Sequence, residues 1–418
     1  MKKVALHCES IAGGGHMPII ANLARALGQQ KLGTYLLTSQ QSYDRGSEQN
    51  FGATEFAMLP DFVRNPETGR ATLTPDGLEY TQDPAYQELR AATIIEHLER
   101  IQPDVLITDS WPLGKGHFDA ELLPALERFA ADIKVYNLAR DVMFYKHEGR
   151  DGLDNDREAA RIINQFFDGI FVTGDKSLFQ FEDSFGAAEE IGAPIMYAGY
   201  FAPDMPRRSM MLDKDRKVLV SLGGGFTKES SLPVYMSAIE ARKSSSLADY
   251  GWKVFVSHDC DEETFDQIKA KAASESPDGR IEVVRNNAHY RQELADAAGV
   301  ICQAGLNTTI EVIQTRRMAS IPVVMCPIVP ANGLSVTGQD YRARMLSEHN
   351  LAAVIHHTDF GNPARFVEAI DTQNRLKFAT AVPDISNDGP NFIANYISSA
   401  LTPSMYLGAA APDFPFQR

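Results

Sequence analysis

Short, continuously apolar runs rich in β-branched residues alternate with helix-length amphipathic stretches along nearly the whole chain. The first half offers "KVALHCES", "GTYLLTSQ", "ATEFAMLP", "DVLITDS", "IKVYNLAR", "GIFVTG" and "IMYAGYF". A strand with one wet face alternates apolar and polar residues. A strand that is apolar throughout needs cover on both faces, which parallel sheets flanked by helices supply. Helix candidates such as "MPIIANLARALGQQ" and "ELLPALERFAAD" lie between the runs. This rhythm restricts the chain to a doubly wound α/β architecture.

The rhythm breaks at "FAPDMPRRSMMLDKDRK", residues 201–217, which carries two prolines and a dense charge cluster and reads as an interdomain linker. A second series follows: "KVLVSLGGG", "WKVFVSHD", "RIEVVRN", "GVICQAG", "IPVVMCP" and "AAVIHH". The chain of 418 residues exceeds one ordinary core. The expected organisation is therefore two Rossmann-like domains facing a cleft, over residues 1–205 and 206–385. The tail, 386–418, contains a helix candidate, "PNFIANYISSAL", expected to pack back on the first domain. Residues 61–86 have weak periodicity and many turn formers, and read as a long loop near the cleft, a candidate lid.

Forty Lys and Arg against 55 Asp and Glu give a formal charge of −15. That balance argues against a nucleic-acid or anionic-membrane surface, while leaving room for a local basic pocket. No run approaches the roughly 18 apolar residues of a membrane span. The opening "MKK" leads straight into a strand-like run without an apolar segment of secretory length, so a cytoplasmic protein is expected. Cys8, Cys260, Cys302 and Cys326 are scattered singly and read as buried free thiols rather than metal ligands or disulfides.

In doubly wound sheets ligands bind outside the carboxyl ends of strands, and the informative motifs follow strands. The stretch "IAGGGHMPIIANLARAL", residues 11–27, places Gly13, Gly14 and Gly15 before a helix. The dinucleotide spacing fails at Pro18, and the second strand ends "LLTSQQS" without an acidic residue for a ribose, which argues against a nicotinamide enzyme. His16 opens the helix. Asp109 closes another strand, where it can orient an imidazole and stabilise its cation. The plainer alternatives are a helix-start histidine without a role and an aspartate that caps or turns. Lys115 and His117 in "GKGH" follow Asp109 closely, so an acceptor-side role stays open for them, as it does for Arg140 and Asp141 after "KVYNLA".

In "VLVSLGGGFTKES", Gly223, Gly224 and Gly225 allow close approach to phosphate and Thr227 adds a hydroxyl, although a tight turn explains the glycines equally. "GVICQAGLNTTIEVI", residues 299–313, runs from a strand into Gly305, Asn307, Thr308 and Thr309 at a helix start. Hydroxyls, an amide and unpaired backbone N–H groups there suit a diphosphate. Glu311 stands one turn on, placed for a ribose diol or for a capping box with Thr308. The D-x-D pattern occurs at Asp154, Asp213 and Asp259 and discriminates nothing; residues 259–263 read as an acidic helix cap. His356 and His357 close a strand without further metal ligands.

Four of these segments carry a family resemblance. "AGLNTTIE" looks like the Gly-x-Asn-Ser/Thr-Thr-x-Glu segment of nucleotide-sugar glycosyltransferases with the GT-B fold, and "GGGHMPIIANLARAL" resembles their Gly-Gly-His-x-x-Pro opening. The similarity is to family 28, which includes a peptidoglycan N-acetylglucosaminyltransferase, and to its bacterial relatives. "GQDYRARML", residues 338–346, resembles the segment whose glutamine contacts the donor sugar, here Gln339. "RNNAHYRQELADAAGVI", residues 285–301, resembles the stretch packing on the nucleotide base and includes Asn286. Two positions depart from the pattern. Gln303 stands where plant-type transferases have histidine, and Gly338 where an acidic residue usually precedes the glutamine.

The resemblance implies an inverting, metal-independent glycosyltransferase using a nucleotide diphosphate sugar, UDP-linked, with no cofactor. His16 would be the base and Asp109 its partner. Gly223, Gly224, Gly225, Thr227, Asn286, Gln303, Gly305, Asn307, Thr308, Thr309, Glu311 and Gln339 would bind the donor. A small-molecule or saccharide acceptor would lie beside Gly14, Gly15 and Arg140. A sugar-nucleotide 2-epimerase of the same fold and a nucleotide-sugar-binding protein without turnover remain as alternatives.

Overall fold

The computed structural model describes residues 1–9, 16–45, 52–65, 71–143, 152–223, 227–328 and 338–402. The first half runs β1 (Lys3–His7), α1 (His16–Gln29), β2 (Gly33–Ser39), α2 (Gln40–Arg45), β3 (Glu55–Leu59), β4 (Val63–Arg64), β5 (Ala71–Leu73) and α3 (Pro84–Ile101). It continues with β6 (Val105–Asp109), α4 (Asp119–Phe129), β7 (Lys134–Arg140), α5 (Gly152–Phe166), β8 (Gly169–Thr173) and β9 (Ile195–Tyr197). Seven of these strands form one sheet in the order β3-β2-β1-β6-β7-β8-β9, every neighbouring pair parallel. All five residues of β6 and of β8 are buried, as a strand covered on both faces requires.

The second series is β10 (Lys217–Ser221), α6 (Lys228–Ala241), β11 (Gly251–Val256), α7 (Glu262–Glu275), β12 (Ile281–Arg285), α8 (Tyr290–Ala295), β13 (Gly299–Cys302) and α9 (Leu306–Met318). It closes with β14 (Val323–Met325), α10 (Gly338–Glu348), β15 (Ala353–Val354), α11 (Pro363–Leu376) and α12 (Gly389–Leu401). The order β12-β11-β10-β13-β14-β15 is again parallel throughout. The expected α/β class, two parallel sheets with helices on their faces, is what the chain adopts.

In each sheet the order reverses beside its first strand, between β1 and β6 and between β10 and β13. A crevice opens at such a point because successive crossovers leave to opposite faces. Residues 201–212 between the two sheets carry no regular secondary structure. Helix α12 returns to the first sheet, where Ile393, Ala394 and Ile397 join Met17, Ile20 and Leu23 of α1 in one buried cluster.

The described residues of the 61–86 stretch, 61–65 and 71–86, include regular structure. β4 and β5 pair antiparallel, and Asp83 caps α3 by accepting from Tyr86 N at 3.0 Å. Tyr80 is buried and donates to Glu121 Oε2 at 2.9 Å, which ties the later part of the stretch to the core. All four cysteines are buried and unpaired. Asp261 caps α7, accepting from Thr264 N at 2.7 Å, so the acidic cluster there is a helix start. No described helix is long and apolar enough to cross a membrane.

Candidate active site

The crevice of the first sheet holds a buried carboxylate. Asp109 is the last residue of β6 and is 2% exposed, while His16 is the first residue of α1 with its side chain 20% exposed. The two meet at 2.7 Å, His16 Nδ1 to Asp109 Oδ2. Lys115 Nζ donates to the same oxygen at 2.7 Å and to the Glu9 carbonyl at 2.9 Å. Ser110 Oγ donates to Asp109 Oδ1 at 3.2 Å, and the Cys8 thiol lies 3.4 Å from Oδ2.

Burial alone would raise the Asp109 pKa. The neighbouring His16 and Lys115 overcome it and hold the carboxyl well below its usual range. His16 moves the other way from a paired histidine. Burial drives its pKa down to about 4, against the pull of Asp109 and with the help of Lys115 and Arg140. The resting pair is therefore a carboxylate and a neutral imidazole. With Asp109 ionised, the short contact puts the ring proton on Nδ1 and leaves the Nε2 lone pair to accept one. Arg140, closing β7, is half-buried and makes no hydrogen bond or ion pair with the described residues.

A second buried network lies behind this pair, and sequence reasoning missed it. Arg90 of α3 is fully buried, donates to Glu9 Oε1 at 2.8 Å and to Glu121 Oε2 at 2.5 Å, and reaches the Pro60 carbonyl. Ser39 and Ser42 donate to Glu9 Oε2 at 2.7 and 2.6 Å. His7 Nε2 lies 3.5 Å from Glu121 Oε1. Burial opposes ionisation of Glu121, but Arg90 and His7 hold its pKa down at about 2. Nothing in the pattern of "AYQELRAATIIEHLERI" marks Arg90 as an inward-facing residue.

In the second sheet three strand ends converge on Gly223. Its φ of +78° lies in the left-handed region, and a side chain there would collide with the Gln303 amide. Asn286 Nδ2 donates to the Gly223 carbonyl at 2.9 Å. Glycine is thus favoured at 223 by its left-handed conformation, whereas the Gln303 amide is the end of a flexible side chain that can move aside. Gly224 and Gly225 lie outside the described residues, as do Gly14 and Gly15. Thr227 precedes α6 with its hydroxyl bonded to Ser230.

Gly305 is the N-cap of α9 and supplies no side chain to its first turn. Thr309 Oγ1 is buried in that turn without a hydrogen-bond partner among the described residues. Asn307 is exposed and Thr308 half-buried. Glu311 forms no capping box with Thr308. It accepts from Arg291 Nε at 2.9 Å, and burial raises its pKa against that cation. Arg291 was not singled out from the sequence, and it also donates to the Pro203 and Asp204 carbonyls at 2.8 and 3.0 Å. Gln339 Oε1 accepts from Ile328 N at 3.2 Å, at the mouth of β14.

The two halves meet around these residues. A cavity of about 580 Å³ is lined by Pro18, Asn22 and Arg25 of α1, by Arg291, and by Asn307 and Glu311 of α9. A cavity of about 560 Å³ opens in the first half against Pro112, Leu113, Gly116 and His117, next in sequence to Lys115. Arg342 of α10 crosses to the first half and pairs with the buried Asp141 at 3.1 Å. Among the described residues, no three His, Cys, Asp or Glu side chains come together to hold a metal ion.

No family model and no curated protein matches the sequence. Solved structures do. The calicheamicin glycosyltransferase CalG4 is similar at 15% identity over 96% of this chain and 98% of its own, with a TM-score of 0.59. MurG of Acinetobacter baumannii is similar at 14% identity, over 95% of this chain and 99% of its own, also at 0.59. A candidate UDP-N-acetylglucosamine 2-epimerase from Listeria monocytogenes follows at 13% identity, covering 96% of each chain, at 0.55. The chain has the GT-B fold, two Rossmann-like units facing a cleft, as its motifs led one to expect.

Proposed function

We propose that this chain is an inverting, metal-independent glycosyltransferase of the cytoplasm. It moves a sugar from a nucleotide diphosphate sugar, UDP-linked on the resemblance of its motifs, to a hydroxyl or amine of a soluble acceptor. The observation that carries the reading is the 2.7 Å contact between His16 Nδ1 and Asp109 Oδ2 at the crevice of the first sheet. It leaves a neutral imidazole with Nε2 as the proton acceptor. In the reaction His16 Nε2 takes the acceptor proton as the acceptor oxygen or nitrogen bonds to the anomeric carbon. The electron pair of the breaking C–O bond leaves with the diphosphate.

That leaving group gains charge, and preorganised donors stabilise it best in a site closed to water. The N-terminal amides of α9, Gln303 and Thr309 would serve it, with Gly305, Asn307 and Thr308 shaping the approach and the glycines at 223 to 225 allowing the diphosphate close to the backbone. Glu311 would take the ribose hydroxyls, sharing its carboxylate with Arg291. Asn286 would lie near the base, Gln339 near the sugar and Thr227 at the edge of the donor. The acceptor would rest on the first half beside Gly14, Gly15 and Arg140. A 2-epimerase reading has the fold likeness in its favour. It would need carboxylates able to act on the sugar, and Glu9 and Glu121 are both engaged by Arg90.

The test is nucleoside diphosphate release from a panel of UDP-, dTDP- and GDP-sugars, with and without chelator. Chelator-resistant release from one donor is expected. Failure to bind any donor overturns the reading.

A further inference from the structure

Asp109 Oδ2 serves two donors at once. His16 Nδ1 and Lys115 Nζ each lie 2.7 Å from it, and Lys115 is anchored a second time on the Glu9 carbonyl at 2.9 Å. Lys115 is only 8% exposed. A buried ammonium is costly unless it is paired and hydrogen-bonded, and this one has a carboxylate and a carbonyl for that purpose. Among the described residues, other charged or titratable groups facing the pair include Arg140 from β7, the Cys8 thiol beyond β1, and Glu9. The Glu9 carboxylate is turned away, onto Arg90, Ser39 and Ser42.

We propose that Lys115 is a positioning residue of the His16–Asp109 pair. Its ammonium fixes the Asp109 carboxylate at the end of β6 and adds to burial in disfavouring a second cation on the His16 imidazole, with Nε2 ready for a proton. For the purpose of that proton the inference rests on the transferase reading; the coupling itself rests on the geometry alone. When Nε2 takes the acceptor proton, an imidazolium and an ammonium share one carboxylate oxygen, at most twice 2.7 Å apart. Their repulsion favours passing the proton on to water once the new glycosidic bond has formed and the diphosphate has left. The base is thus reset between turnovers.

A merely structural lysine would neutralise Asp109 and leave the titration of His16 alone, so that titration is the measurement. Lys115→Gln keeps a hydrogen-bond donor and removes the charge. Lys115→Met, of similar length, is the second uncharged variant should the first not fold, and Lys115→Arg restores the charge. The probe is the His16 imidazole resonance followed against pH in the full chain, next to the acid limb of kcat/KM for nucleoside diphosphate release. A like charge this close moves a pKa by about one pH unit or more. The expected result is an upward move of at least that size in the uncharged variants, a return toward wild type in Lys115→Arg, and an acid limb that moves in step. An unchanged His16 titration in a folded, uncharged variant overturns the inference. A shifted titration without release by any of the proteins would instead contradict the transferase reading and leave the coupling standing.

Discussion

The imidazole of His16 is placed where burial and two cations outweigh the carboxylate it touches, and this has a consequence for stability. Its pKa falls from 6.5 to about 4 on folding. Above pH 6.5 the folded and unfolded chains bind the same number of protons at this site. Between 6.5 and 4 the unfolded chain takes a proton that the folded chain refuses, so stability drops as pH falls through that window. One pH unit of difference is worth ~1.4 kcal/mol, so the loss is on the order of 3 kcal/mol. Urea unfolding at pH 7 and pH 4.5 is expected to show this slope in wild type and a shallower one in His16→Gln. His16 and Asp109 were legible in the sequence because each sits at a strand–helix junction, where the fold puts ligands. Lys115 was visible only as a neighbour. Arg90 was not legible, since an arginine between apolar turns of a helix reads as solvated until Glu9 and Glu121 are brought to it from two other elements.

The strands were readable because burial on both faces leaves a continuous apolar run, and each of the runs singled out holds a strand of the two sheets. In the stretch 61–86 the loop reading leaves out the short pair β4–β5 and the turn at Tyr80. Buried Phe62 and Tyr80 hold the stretch to the core, and the Tyr80 hydroxyl reaches Glu121; no local pattern reports a contact with a residue 41 positions away. Helix α12 shows the same dependence on distant partners. Its Ile393 and Ile397 are fully buried against α1, the helix that begins with His16. Ile397→Ala removes packing on both helices, and a loss of about 2–5 kcal/mol is expected by chemical denaturation. A loss under 1 kcal/mol would mean that α12 does not hold α1 in place.

The two halves are joined by more than the linker. Arg342 and Asp141 lie 201 positions apart, and their buried pair is shared with the Tyr200 hydroxyl, 3.2 Å from Asp141. A buried carboxylate left without its cation is costly, so Arg342→Met is expected to destabilise the chain by about 3–5 kcal/mol in denaturant titration. The α/β class and the two crevices could be derived from strand rhythm and from motif order. The contacts that set one half against the other could not, because single buried ion pairs leave no periodic trace. Those contacts decide whether the α9 helix start and His16 face the same ligand.

The measurement that bears most directly on that arrangement is nucleoside diphosphate release by wild type and His16→Ala at saturating donor and acceptor, with donor affinity measured calorimetrically on both. The account predicts a fall in release of about 10²- to 10⁴-fold with donor affinity nearly unchanged. Release at wild-type rate in the variant would contradict it.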